Sequence, residues 1–440
     1  MSLIVKIGKK VKHLLLGEKN RIPDRDYVSL VRRIDRVAVR ERICAMTFDD
    51  GPCALPPEPN TGKHPSLTEA ILSALREYGG AATFDVIGDT SENYPDEAGE
   101  AGHADWGGIA YDHYPYLGQD RMGGAKNQPE LVAKILEAGC ELSNHAYRHV
   151  LFGKKKFVYG KRHTWESANE VLEDAENLHR LIKTEHNVTL KLARPPHYVD
   201  KIGKYLSSYD VYERMGYQYM GASFDGAGWL PLDSYAAEIS AMTTPIAAAL
   251  AENRDALCGQ IIFGKDGYNM AFRSPVADAL PKQLKLLTDA GYRVVTVSEL
   301  MSHGQFADVD RTHAVYADAE KLLHQGIPVA YRDNTLRPEA AVTEGELLYM
   351  LAPAEYRDRR FALLAENKNP RLYSGLPLAH PYGAGALYAK EAGIAFLHVN
   401  RPLSIERAND FLTRLHADFR IPGQGTVTRA QWIQALAAKK

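Results

Sequence analysis

A short apolar run that ends on paired acids, and that recurs in alternation with helical segments, constrains this chain more than any other feature. Ile43-Cys44-Ala45-Met46-Thr47-Phe48 reads as a buried strand bounded by Asp49-Asp50-Gly51-Pro52. Leu67, Ile71, Leu72 and Leu75 then recur at helical spacing within 66–78, Gly79-Gly80 ends that helix, and 81–88 reads as a second strand. Strand, helix, strand at this spacing is the βαβ signature of a parallel sheet, in which sites form at the carboxyl ends of the strands. The alternation continues with strands over 140–145, 190–193, 217–222, 260–263 and 293–297, and helices over 129–138, 166–183, 211–215, 246–252 and 276–290. The expected fold is α/β, a barrel or open sheet ending near Leu300. The pattern breaks over 89–128, which is rich in Gly, acids and aromatics, among them Trp106, Tyr111, Tyr114 and Tyr116. Two readings stand for this loop: a substrate-facing segment whose rings stack on sugars, or a self-packed surface excursion.

Composition excludes several classes. With 440 residues, 45% hydrophobic and 25% charged, the chain can bury ordinary cores and divide into two or three folded units. Lys plus Arg total 53 against 55 Asp plus Glu, so no overall field favours nucleic acid, and no run of like charge forms a tail. No stretch approaches the roughly 18 apolar residues needed to cross a bilayer. Residues 1–17 scatter basic side chains through a short apolar segment and make no convincing signal peptide. An exported or wall-associated location is expected if a leader was removed, a cytoplasmic one otherwise. Cys44, Cys53, Cys140 and Cys258 are irregularly spaced, without the paired clusters of zinc or redox sites.

The candidate chemistry gathers at the strand ends. His145 and His149, in His-Ala-Tyr-Arg-His, stand four residues apart. On a helical turn that spacing puts both imidazoles on one face, within reach of one ion. A His pair at this interval is by itself most often surface decoration, and Asp-Asp-Gly-Pro by itself is most often a turn after a strand. Together they describe a three-ligand site with open positions for water and substrate. One carboxylate can bind the metal while its neighbour, pointing to the opposite side of an extended segment, stays free as general base for the metal's water.

Thr47-Phe48-Asp49-Asp50-Gly51-Pro52, then His145-Ala146-Tyr147-Arg148-His149, then Arg194-Pro195-Pro196-His197, and later Asp225 and Trp229, resemble in order the motifs of the NodB-type polysaccharide deacetylases, carbohydrate esterase family four. The segment 291–300 is similar to the way that domain closes. The resemblance covers about residues 40–300 and implies a distorted (β/α) barrel of fewer than eight complete units. It also implies an enzyme that removes N- or O-linked acetyl groups from a polysaccharide such as peptidoglycan, a chitin-like oligomer or xylan. By position, it makes Asp49 the general base and Asp50, His145 and His149 the ligands of a divalent metal: zinc first, with cobalt or another divalent ion as alternatives. Arg194 would pair with Asp49 and keep its pKa low. The metal would polarise the acetyl carbonyl, and the oxyanion would rest on the metal and on a backbone N–H just after the first motif. Proline has no N–H, so Cys53 is the better candidate than Pro52. Pro196 and His197 are carried over as substrate-binding positions. Asp225 and Trp229 would line the acetyl pocket, Trp229 as its apolar wall, and a packed core aromatic is the other reading of Trp229.

Two departures bear on the reaction. The family presents a late histidine, in a Leu-His or Leu-x-His motif, to protonate the leaving group. The corresponding stretch here, Ile261-Ile262-Phe263-Gly264-Lys265-Asp266-Gly267, has none, and Lys265 falls about where it is expected. The acid that commonly precedes Trp229 is replaced by Gly228. Three outcomes are open: Lys265 acts as general acid, His197 or His163 supplies the proton, or the site binds metal and sugar but turns over slowly. The last makes a catalytically impaired wall-carbohydrate-binding protein the alternative function. An ester needs less help from an acid than an amide does, which favours O-deacetylation relative to a typical family member.

The last 140 or so residues look separate. Thr343 to Glu346 has capping-box spacing, Thr428-Arg429-Ala430-Gln431 repeats it, and Gly393-Ile394 with Ser404 to Ala408 is a fainter copy. The stretch from Phe306-Ala307-Asp308-Val309 to about residue 352 resembles an S-layer homology repeat, which implies a module that binds a cell-wall polymer. Two or three such units would stack into one helical module. A degenerate helical domain that only stabilises the barrel is the competing reading. The expected division is an N-terminal extension, 1–40, the deacetylase-like domain, 41–304, and the helical module, 305–440.

Overall fold

The computed structural model describes residues 21–59, 62–89, 120–153, 164–269, 271–395 and 398–439. Residues 1–17, read as no convincing signal peptide, the four aromatics of the 89–128 loop, and His163 lie outside the described residues. The chain forms two compact units.

The first unit, 33–203 with 207–305, is built on a nine-stranded sheet in which every pairing is parallel. Its strands are β1 (Arg33–Ile34), β2 (Ile43–Asp49), β3 (Thr83–Val86), β4 (Glu141–Asn144), β5 (Leu192–Ala193), β6 (Gln218–Met220), β7 (Phe224–Asp225), β8 (Ile261–Lys265) and β9 (Arg293–Val295). The order is β1-β6-β5-β4-β3-β2-β8-β7, with β9 also paired to β2. All seven residues of β2 are buried, as expected of a parallel strand covered on both faces. Helices α1 (Leu67–Glu77), α2 (Pro129–Glu137), α3 (Ala168–His186), α4 (Ser208–Met215), α5 (Tyr235–Glu252), α6 (Val276–Asp289) and α7 (Val297–His303) alternate with the strands.

The sheet curls strongly. Arg194, just past β5, donates to Asp49 and Thr47 of β2, three strands away. On a flat sheet that gap spans about 14 Å, beyond the reach of an arginine. Ile34 of β1, Leu192 of β5, Met220 of β6, Ala45 of β2 and Ile261 of β8 share one buried cluster, so the interior is filled with side chains. No pairing among the described residues joins β1 to β7, so the expected distorted (β/α) barrel stays open.

Most helix boundaries follow from capping chemistry. Ser66 caps α1, and Ser167 with Glu170 forms a capping box that starts α3. One expectation needs correcting. Helix α5 begins at Tyr235, behind an N-cap at Ser234, and runs through Pro245 instead of starting after it. The proline removes one hydrogen bond from an 18-residue helix, a local loss that the remaining turns tolerate.

The second unit gathers 21–32 with 306–439, together with 204–206. The expected extension 1–40 is therefore split. Val28 N–H donates to Tyr382 Oη at 2.9 Å and Arg32 Nη1 to Asn334 Oδ1 at 2.9 Å, whereas Arg33 already belongs to the sheet. Its helices are α8 (Tyr316–His324), α9 (Glu344–Leu351), α10 (Ala354–Ala365), α11 (Gly383–Glu391), α12 (Ile405–Arg414) and α13 (Arg429–Ala437). Thr343, Ser404 and Thr428 cap α9, α12 and α13, and the chain just before each cap meets the other two in a closed ring. Val342 N–H donates to Val427 O, Val427 N–H to Leu403 O, and Leu403 N–H to Val342 O, each at 2.9 Å. A second ring runs the opposite way, from Glu344 to Arg401 O, Ile405 to Gly425 O and Arg429 to Ala340 O, at 2.9, 2.8 and 2.9 Å. The first N–H of each helix, ordinarily an orphan, is thus satisfied by a neighbouring copy. The same two hydrogen-bond patterns thus join the three cap segments in turn.

Candidate active site

The strands deliver their carboxyl ends to one rim in register: Lys265 pairs with Asp49, Asp49 with Asp85, Asp85 with Ser143, and Asn144 with Ala193. Residues level with one another on parallel strands face the same side, so the ends of β2, β3, β4, β5 and β8 converge.

Asp50, His145 and His149 meet there. Asp50 Oδ1 lies 3.2 Å from His145 Nε2 and 3.1 Å from His149 Nε2, and donor atoms of all three lie within 4.8 Å of one another. Ligands of a tetrahedral ion with 2.0–2.1 Å bonds sit about 3.3 Å apart, so the spacing and the N/O donor set both fit a divalent metal. The route to this arrangement differs from the expected one. The segment between the histidines is a loop, not a helical turn, with left-handed backbone at Ala146 (φ 72°) and His149 (φ 52°). Asp174 of α3 accepts the N–H groups of Tyr147 and Arg148 at 2.7 and 3.2 Å, and Asn144 Oδ1 accepts that of Ala146 at 3.0 Å. Side chains therefore supply the hydrogen bonds that a helical turn would have made with itself.

Asp49 does not point away from this cluster. Asp50 has φ 75°, which turns the chain so that both carboxylates face His145, with Asp49 Oδ2 3.8 Å from its Nε2. Gly51 follows because a Cβ there would lie 2.1 Å from Asp266 Oδ2. Arg194, fully buried, pairs with Asp49 as expected and is fixed by Thr47 Oγ1 at 3.1 Å, Met220 O at 3.0 Å and Gly221 O at 2.8 Å.

The expected low pKa of Asp49 is overturned. Burial outweighs Arg194 and His145 and pushes the carboxyl up to about 7, because removing a carboxylate from water costs more than a single guanidinium returns. Asp50 goes the other way: burial opposes its charge, but Lys265, His149 and His145 together hold it well below the carboxylate range. Burial likewise opposes a charge on His145, yet Asp85 and Asp49 hold its imidazolium well above the histidine range. The site carries a surplus of acidic groups around one imidazole, the setting into which a cation fits.

Lys265 reaches this site directly, with Nζ 2.7 Å from Asp50 Oδ2. His197 is exposed and its ring lies 5.3 Å from that of His149, while the preceding Pro196 is buried. Asp225, the last residue of β7, and Trp229 hold each other, the indole N–H 3.2 Å from the carboxylate. Trp229 is 46% exposed, so the packed-core reading fails. Cys53 is corrected too. It is buried, and its N–H already donates to Thr68 Oγ1 at 2.8 Å, so it is engaged and not turned to a substrate.

Three acids escaped the sequence reading: Asp85, Asp174 and Asp266. Each had a signal. Asp85 interrupts a fully buried strand, Asp174 falls on the apolar face marked by Val171, Ala175, Leu178 and Ile182, and Asp266 follows a strand end. All three are buried.

Fold and site together define a class: a curled, parallel α/β half-barrel with a candidate metal site above its strand ends. Residues 36–220 match the family model "Polysaccharide deacetylase". Peptidoglycan-N-acetylmuramic acid deacetylase PdaC of Bacillus subtilis (strain 168) is 25% identical over 282 residues, covering 64% of this chain and 43% of that protein. Peptidoglycan-N-acetylglucosamine deacetylase of Bacillus cereus is 26% identical over 266 residues, covering 60% of this chain and 90% of its own. The solved structure of PdaC aligns with a TM-score of 0.38 at 23% identity, covering 60% of this chain and 93% of that one. The chain thus spans less than half the length of the first of these relatives and most of the second. No helix among the described residues is long and apolar enough to cross a membrane.

Proposed function

We propose that this protein hydrolyses acetyl groups on a polysaccharide, with Asp50, His145 and His149 holding a divalent metal, zinc first, and Asp49 as the general base. The observation that carries the reading is the convergence of one carboxylate and two imidazoles beside a second carboxylate held by a buried arginine. A bound divalent ion would polarise the acetyl carbonyl and acidify a water. Asp49 would take the proton from the attacking water, and its pKa near 7 suits a base working at neutral pH. Arg194 fixes which carboxylate oxygen of Asp49 is free, because the guanidinium occupies Oδ1. Trp229 and Asp225 form the outer edge of the substrate site, with the exposed indole as an apolar face for the acetyl group or a sugar ring. Lys265, with Nζ 2.7 Å from Asp50 Oδ2, would serve as general acid to the leaving group.

The substrates in the relatives' names make peptidoglycan the first polymer to try, ahead of chitin-like oligomers and xylan. The helical unit is read as a wall-polymer module of the S-layer homology kind, supported by its three ring-joined copies. The ion pair between Lys265 and Asp50 favours a second reading, a protein that binds wall carbohydrate and turns over poorly. Acetate release from a panel of acetylated glycans, with metal added and with Asp49→Asn as control, separates the two. Release that Asp49→Asn abolishes supports the hydrolase; no release from any glycan supports the binding protein. Lys265→Met is expected to lower amide hydrolysis more than ester hydrolysis, and equal effects would remove Lys265 from the reaction.

A further inference from the structure

Asp85 stands beside His145 and is closed off from solvent. Its side chain is fully buried in β3, level with Asp49 on one side and Ser143 on the other. Ser143 Oγ donates to Asp85 Oδ1, which fixes the carboxylate. By hydrogen-bond geometry Oδ2 has no partner among the described residues; His145 Nδ1 lies 2.7 Å from it as an ion-pair contact. The opposite nitrogen of the same ring, Nε2, faces Asp50 Oδ1 at 3.2 Å. A buried acid between Phe84 and Val86 carries a large desolvation penalty.

We infer that Asp85 is a positioning residue for the metal site: it holds the proton on His145 Nδ1, presents Nε2 as the ligand atom, and makes that nitrogen a stronger donor. The inference rests on the reading of Asp50, His145 and His149 as metal ligands. Metal-binding imidazoles commonly give their second N–H to a carboxylate, which sets tautomer and ring orientation. Arg194 O, 2.9 Å from Nδ1, is the acceptor that meets hydrogen-bond geometry, and Asp85 is the charged one beside it. An anion is the stronger partner of the two. Asp49, Asp85 and His145 also lie within 4.8 Å of one another, but a second ion there is disfavoured, because the buried Arg194 guanidinium already supplies positive charge at Asp49.

The test uses the full chain, with zinc and cobalt as probes. Asp85→Asn keeps the shape of the side chain and removes its charge. It is expected to weaken metal binding about 10- to 100-fold while the circular dichroism stays native. A second measurement needs no variant. In the zinc-loaded wild type, the His145 ring proton should sit on Nδ1 and resonate far downfield, as a charged acceptor requires. Affinity of Asp85→Asn within about twofold of wild type, or a His145 ring bound through Nδ1, overturns the inference while leaving the metal site intact. If the wild type binds no metal, or if His149→Ala leaves binding unchanged, the metal site itself fails and the inference falls with it.

Discussion

Arg194 and Asp49 carry the finest-grained argument. A guanidinium against a carboxylate ordinarily keeps the acid ionised, yet Asp49 is so far from water that burial prevails and its carboxyl rises to about 7. A base must be deprotonated to act, so with Asp49 in the proposed role hydrolysis is expected to increase as pH rises through the folded-state pKa. A bound cation draws that pKa down. The pH profile of kcat/KM in the metal-loaded protein should therefore have a rising limb with its midpoint at or below about 7. Asp49→Asn should remove that limb along with most of the rate; a profile flat down to pH 4 would contradict the assignment. The identities of Asp49, Asp50, His145, His149 and Arg194 were legible because their motifs stand in order along the chain. The ionisation of Asp49 was not, since sequence names the neighbouring cation but says nothing of how much water is lost. The same gap misled the reading of Cys53, whose N–H is consumed by Thr68, a residue 15 positions away in the chain.

Elements set these residues in place, and the loop after β2 is the most demanding. Asp50 takes a left-handed φ of 75°, and Gly51 passes so close to Asp266 that an added Cβ would meet its Oδ2 at 2.1 Å. Gly51→Ala is expected to destabilise the protein by about 1–3 kcal/mol through overpacking and, by displacing Asp50, to weaken metal binding. Denaturant unfolding together with zinc titration checks both effects; an unchanged midpoint and affinity would mean that the loop has slack. The long apolar strand β2 and the capped helices α1 and α3 were readable from periodicity and from Ser66 and Ser167. Strands β1 and β7 were not, because two residues carry no period, and they exist only through the neighbours they pair with. Helix α5 was cut short for the opposite reason: Pro245 punctuates the sequence, while in the fold it removes one bond among many. The His145–His149 turn was predicted helical from spacing alone, and Asp174 and Asn144, distant acceptors invisible to a local pattern, hold it in another shape.

At the scale of the molecule, two units of different construction share one chain. In the helical unit the three copies close a ring, so none of α9, α12 and α13 starts without its neighbours. The last copy also supplies the fully buried Trp432 and Arg429, the latter paired with Glu346 at 3.4 Å and stacked 4.2 Å from the ring of Tyr331. Truncation before Thr426 is expected to reduce amide protection in α9 and α12 by more than about tenfold in hydrogen exchange. Protection that persists would show the copies to be independent.

In the sheet unit everything depends on whether Asp50, His145 and His149 close on one cation. Anomalous diffraction from zinc- or cobalt-loaded crystals tests this most directly. The account predicts one ion per chain within bonding distance of Asp50 and of Nε2 of both histidines, lost in His149→Ala. An ion bound elsewhere, or these three side chains remaining without metal at saturating zinc and cobalt, would contradict it.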